Sequence, residues 1–282
     1  MKMAINDTDG RARKEWMEFV ESKPNFPSLM HRWILLLRNL AIHTPGSDQD
    51  LVGHLIMTSI VMSLFDADDI LTLSHHESHV GAHKLLRSLY ERVVTLKYIS
   101  ENPAQAQSFI DFDSIDTEKV ITEIKAKTGM EMREDSRRHL ATAAAEAKKK
   151  YKQSPCPICK EKKPISWTTL NSREMADRVG LGHMYLHAFV IASKQIHPTY
   201  WSVKDITGTS AMFNTLNITH ELVVHLVLIH RRHFAKAFGV TPMMNKAIND
   251  FLATWTISEG TFDGLLAKAH ASSKGGAAVY YG

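Results

Sequence analysis

Cysteine is almost missing from this chain: two occur in 282 residues, both inside "CPIC" at positions 156 to 159. That excludes the disulfide framework of a small secreted protein. Strand-like alternation of apolar and polar residues is equally hard to find, which argues against a sheet. Long hydrophobic runs are short in supply as well. The longest, "LVGHLIMTSIVMSLF" from 51 to 65, interrupts itself with His54 and falls short of the run that crosses a bilayer. The opening residues "MKMAINDTDG" lack the apolar core of a signal peptide, so a cytoplasmic protein without a membrane segment is expected.

What the sequence has is helical periodicity. "LMHRWILLLRNLAIH", "LLRSLYERVVTLKYI", "MYLHAFVIAS" and "ITHELVVHLVLIHRRHFAKAF" repeat their apolar residues every three or four positions. Breakers fall between such stretches, at "KPNFP", "TPGSD", "ENP", "SPCP" and "HP". The fold class is therefore all-α, a multi-helix bundle. One helical domain over residues 1–270 is expected, followed by a small, Gly-rich tail at 271–282. Residues 117–152 carry helix formers but a thin apolar stripe, and read as one long polar helix leading into the short cysteine loop, the two together filling about 117–170. Beyond that loop, Asn171 and Glu174 stand in capping-box register ahead of "REMADRVG", and Gly180 ends the short helix.

Charge is distributed unevenly. The chain carries net +4, while residues 148–163 hold seven lysines against one glutamate, leaving the remainder near −2. A local basic patch can touch phosphate, or it can be a solvated face.

Four groups of residues carry chemistry. In "HHESHVGAHKLLRSLYE", His79, His83, Arg87 and Glu91 recur at four-residue steps, spanning about 18 Å and sweeping an arc of roughly 120°. That length excludes one metal ion bound by all four, and a permanently protonated arginine is not a normal ligand. Arg87 and Glu91 interrupt an apolar stretch. They pair with each other as a structural brace, or Arg87 offers its planar fork to a phosphate or carboxylate while Glu91 orients it.

Cys156 and Cys159 suit two ligands of a structural zinc, and His183 with His187, one helical turn apart, complete a Cys2His2 set. Zinc shared across a dimer and two plain surface thiols are the alternatives. The helical-nuclease pattern of arginine, four to six residues and histidine occurs three times, as Arg38 with His43, Arg133 with His139 and Arg178 with His183. With thirteen arginines and sixteen histidines about two matches arise by chance, so the pattern alone decides nothing. Finally, "ASKQIHP" sets Ser193 and His197 four apart before a helix-stopping proline, leaving His197 at a helix C-terminus.

Two blocks, "HVGAHKLLRSLYERVVTLKYISENPAQAQSFIDF" and "ISWTTLNSREMADRVGLGHMYLHAFVIASKQIHP", resemble domain-of-unknown-function family 5677, over residues 50–235. The shared pattern is an Arg-x-x-x-Glu helix with an "NP" turn, then Trp, "REMA", Gly, Tyr and Ser-x-x-x-His-Pro. The resemblance implies Arg87, Glu91, Trp167, Tyr185, Ser193 and His197 as site positions, and implies no reaction. The helical layout is similar to the HEPN group, which contains metal-independent ribonuclease toxins and phage-defence effectors often completed by dimerisation. By that analogy the chain is expected to be RNA-directed and homodimeric, with Arg87, Glu91, Ser193 and His197 catalytic and no catalytic cofactor. Ser193 stands where an arginine would make the comparison direct. The alternative is a non-enzymatic module binding a protein partner, in which the same four residues form a buried network; a small-molecule hydrolase is the third reading.

Overall fold

The computed structural model describes residues 17, 21, 26–43, 50–76, 78–150, 166–196 and 209–238. Among these there are eight α-helices and no strand, as the periodicity requires. The helices are α1 (Phe26–His43), α2 (Leu51–His75), α3 (His79–Glu101), α4 (Ala106–Thr128), α5 (Glu134–Lys150), α6 (Ser172–Arg178), α7 (Ala192–Ile196) and α8 (Thr209–Phe238). The chain divides into the units Met1–His233 and Phe234–Gly282, and the candidate site lies in the first.

α2 and α3 form the central pair. Asp50 caps α2 by accepting from the backbone N–H groups of Val52 and Gly53, and the short link from His76 to Ser78 folds α3 back along it. α2 is long and apolar enough to cross a membrane by length and composition. Its buried residues, among them Ile56, Ile60, Leu64 and Ile70, contribute to the core beside Leu86, Leu89, Val93 and Leu96 of α3. Arg92 of α3 clamps Asp66 of α2 at 2.5 Å, with both side chains less than a quarter exposed. α1 closes one side through Trp33, Ile34, Leu37 and Leu40, and the Trp33 ring meets that of His220 on α8 edge-on at 6.0 Å.

The long polar helix expected over 117–152 is instead two helices. α4 stops at Thr128 because Gly129 takes the left-handed conformation, φ 71°, and its N–H returns to the Lys125 carbonyl. α5 then runs back along α4, and the thin apolar stripe is explained: Ile115, Ala144 and Ala147 are buried along the pair, and the two alanines allow close approach. The basic run is partly answered within this hairpin. Lys148 reaches Glu118 at 2.8 Å, Lys150 reaches Asp111 at 2.7 Å, and Lys149 pairs with Glu146 at 2.5 Å. All three lysines also sit in the last turn of α5, where the helix dipole favours cations. The other four lysines of the run and both cysteines lie outside the described residues.

One buried contact ties α3 to the chain beyond α6. The Tyr90 hydroxyl donates to the Leu181 carbonyl at 3.0 Å, and both residues are almost fully enclosed. Tyr90→Phe is expected to lower unfolding free energy by about 1–2 kcal/mol, read as a lower urea midpoint with an unchanged slope.

Candidate functional site

The capping box expected at α6 is present: Asn171 accepts from the Glu174 N–H, and Glu174 accepts from the Asn171 N–H. α6 ends at a turn where Gly180 has φ 74° and Gly182 lies so close to Asp177 that any Cβ would collide with its carboxylate. Past this turn the periodic stretch "MYLHAFVIAS" does not form one plain α-helix. Gly182–Met184 winds as a 3-10 turn, Leu186–Ile191 as a π-helix, and only then does α7 begin. A π segment widens the turn and re-aims side chains, and such segments are frequent at functional sites.

This irregular segment packs against α3, and three carbonyls along it receive side-chain donors. Tyr90 serves Leu181, His83 donates its Nε2–H to His187 at 3.2 Å, and the Ser193 hydroxyl donates to the Phe189 carbonyl one turn back. Because a carbonyl only accepts, the contact fixes His83 as the Nε2–H tautomer. Burial pushes the His83 imidazole below its usual pKa, against the pull of that carbonyl.

The winding also arranges aromatic rings between two arginines. Tyr185 stacks on Phe189 with centroids 4.9 Å apart and planes 15° apart. The Arg87 guanidinium lies 4.7 Å over the Phe189 ring, and Arg173 lies 5.8 Å over Tyr185. Arg87 Nε donates to Glu91 Oε2 at 3.3 Å, so the pairing of these two along one helix is realised. The two terminal nitrogens of Arg87 make no hydrogen bond among the described residues, and the side chain is 21% exposed. The site therefore presents a cation held from behind by a ring and from one side by a carboxylate, with its fork edge unoccupied.

These geometries sort the expected residues. Arg87, Tyr185 and Ser193 each meet Phe189 and Glu91 joins them through Arg87, whereas His197, next after the end of α7, lies outside the described residues. Trp167 stands apart from this group, its ring edge-on to Tyr98 at 5.8 Å and Phe109 at 5.2 Å. The chain belongs to DUF5677, a family of unknown function. Its profile matches residues 54–212, which includes every one of these positions. No curated protein and no solved structure matches the chain.

Within the DUF5677 segment, the expected pairing of His183 with His187 on one helical face is not what the winding produces. His183 Nε2 meets Glu221 Oε1 of α8 at 2.9 Å, while His187 is engaged through its carbonyl with α3. The change from 3-10 to π between them is the reason, since neither keeps 3.6 residues per turn. Among the described residues no group of three His, Cys, Asp or Glu is arranged to hold a metal ion. Of the arginine–histidine matches, Arg178 is exposed at the end of α6 while its partner His183 is occupied by Glu221. Arg38 is exposed on α1, and Arg133 and His139 are exposed around the start of α5.

Sequence reasoning passed over Phe189, Arg173 and Glu221. A signal for Phe189 was available: Tyr185, Phe189, Ser193 and His197 are spaced by four, as are His79, His83, Arg87 and Glu91. Nothing in the sequence marks the π winding.

Burial depresses two further histidines of α8 strongly. His225, with Lys97 and His183 adding repulsion, is lowered to about 4, and His230, with His233 adding repulsion, is lowered likewise to about 4. Both fall below the ordinary 6.5 of an unfolded chain, so the unfolded state binds more protons between these values. Their stabilising contribution is complete above pH 6.5 and is lost as pH falls towards 4. Chemical denaturation at pH 7.5 and pH 5 should show a lower midpoint at the acid value, with a smaller difference between the two in His225→Gln.

Proposed function

We propose that the protein is RNA-directed and acts as a HEPN-like, metal-independent endoribonuclease of the toxin or phage-defence kind. The observation that carries this reading is the Arg87 fork. Its Nε is occupied by Glu91 and its face by Phe189, while the two terminal nitrogens make no hydrogen bond among the described residues. A planar fork of this type binds two oxygens of a phosphodiester at once, and holding it in place beforehand lowers the ordering cost of binding.

In the proposed reaction Arg87 holds the scissile phosphate and neutralises charge on its oxygens. The neighbouring ribose 2′-hydroxyl loses its proton to His197 and attacks phosphorus, the bond from phosphorus to the 5′-oxygen breaks, and that oxygen takes a proton from solvent water, giving a 2′,3′-cyclic phosphate. Glu91 orients Arg87, and Ser193, whose hydroxyl is committed to the Phe189 carbonyl, positions the ring beneath it. No metal takes part in the step. A homodimer in the cytoplasm fits the same reading, and zinc on Cys156 and Cys159 would be structural. His183 would have to leave Glu221 to join it.

A second reading, a non-enzymatic helical module, is favoured by a specific observation. His83 and Ser193 both commit their donors to carbonyls of the irregular segment, as parts of a register-fixing network do. Expression of wild type, Arg87→Ala, Arg87→Lys and His197→Ala in cells, with mapping of new RNA ends, separates the two. Arg87→Ala and His197→Ala should each reduce cleavage by about 100-fold while melting within a few degrees of wild type. Arg87→Lys, which keeps charge but loses the fork, should recover little. Loss of thermal stability in step with loss of effect, with no new RNA ends from wild type, would establish the network reading instead.

A further inference from the structure

Glu91 also lines a cavity of about 190 Å³ formed by α2, α3 and α4. Leu55, Leu96, Ile99 and Phe109 give it apolar walls, while Ser59, Thr95, Glu91 and Arg92 supply its polar groups. A dry cavity of about 150 Å³ accommodates one benzene ring, so this volume takes a ring or short chain of roughly eight heavy atoms.

The polar groups define what such a molecule must carry. The Ser59 and Thr95 hydroxyls make no hydrogen bond within the described residues. Glu91 uses one oxygen, Oε2, for a 3.3 Å contact with Arg87 and leaves Oε1 without a partner among them. Arg92 is already committed, with Nη1 on Asp66 at 2.5 Å and Nη2 on Ser88 at 3.3 Å, so its charge is answered from the α2 side. The open capacity of these three groups is therefore three acceptors, one of them anionic, and the two hydroxyl protons, which rotate to suit what is bound. An ammonium group has three donors and no acceptor.

We propose that this cavity is a binding site for a small hydrophobic primary amine. The hydrocarbon part packs against Leu55, Leu96, Ile99 and Phe109, and the ammonium is received by Glu91 Oε1 with the Ser59 and Thr95 hydroxyls. Few convergent polar groups in an apolar concavity are the ordinary form of a small-molecule site. Because Glu91 also holds Arg87 Nε, an amine drawing on the carboxylate loosens its hold on the arginine. The ligand thereby regulates the site assigned to RNA phosphate, and this regulatory part rests on that assignment.

The binding part is tested without RNA. Benzylamine serves as the probe, with benzyl alcohol and benzoate as neutral and anionic counterparts, each titrated calorimetrically into the full-length protein. Benzylamine is expected to bind wild type at least about tenfold tighter than either counterpart, and to lose about tenfold in Glu91→Gln, the scale of one charge-assisted contact. Ser59→Ala and Thr95→Val should each weaken it several-fold, which keeps the test decisive where Glu91→Gln fails to fold. Benzoate binding as tightly as benzylamine, affinity indifferent to all three substitutions, or no heat at millimolar probe would each overturn the proposal. Failure of the RNA reading leaves these affinities as predicted. Failure of the amine site leaves the Arg87→Ala effect on RNA as predicted, and only amine-dependent change in RNA cleavage requires both.

Discussion

The constraint on which this structure depends is the satisfaction of backbone carbonyls in a segment that is not wound as an α-helix. Between Leu181 and Ser193 the chain passes from a 3-10 turn into a π-helix. Polar main-chain groups so close to a core need partners. α3 supplies two of them, Tyr90 to Leu181 and His83 to His187, and Ser193 supplies a third to Phe189. Burial raises the Tyr90 phenol above its usual pKa and lowers the His83 imidazole below its own, so both remain neutral donors at physiological pH.

Fixing those carbonyls fixes the rings that ride on the same turns. Tyr185 and Phe189 stack on successive turns of this winding, and the stack then offers a face to Arg87. An arginine in a largely buried setting is usually tied up by carboxylates on its fork. Here a ring replaces one of those partners, which keeps the cation in place without consuming its terminal donors. The local stiffness of the irregular segment is thus converted into a pre-set orientation for one charged group.

The fold was legible in the sequence because apolar spacing, breakers and caps agree with one another. The capping box at Asn171 and Glu174 and the turn at Gly180 follow from residue types whose local geometry is narrow. The division of 117–152 into α4 and α5 was less legible, since a single Gly129 within good helix formers competes with strong propensity on both sides. Its left-handed φ and the cross-links Lys148–Glu118 and Lys150–Asp111 emerge only once the chain has reversed. At the site, the spacing of Arg87 and Glu91 foretold their pairing, while the separate courses of His183 and His187 did not follow from spacing at all. Counting residues assumes 3.6 per turn, and the π segment breaks that assumption between them.

The four-residue stripe on α3 gains a physical meaning from its own drift. Each step of four residues advances the side chain by about 40° around the helix. His83 is therefore directed to the His187 carbonyl, Arg87 to the Phe189 ring, and Glu91 already faces the cavity shared with Leu55 and Phe109. A strictly longitudinal row would have set all three against one neighbour. The drift instead makes Glu91 a residue with two environments, joined on one side to the arginine over the aromatic stack and on the other to an apolar cavity, so that charge placed in the cavity is felt at the arginine through a single carboxylate.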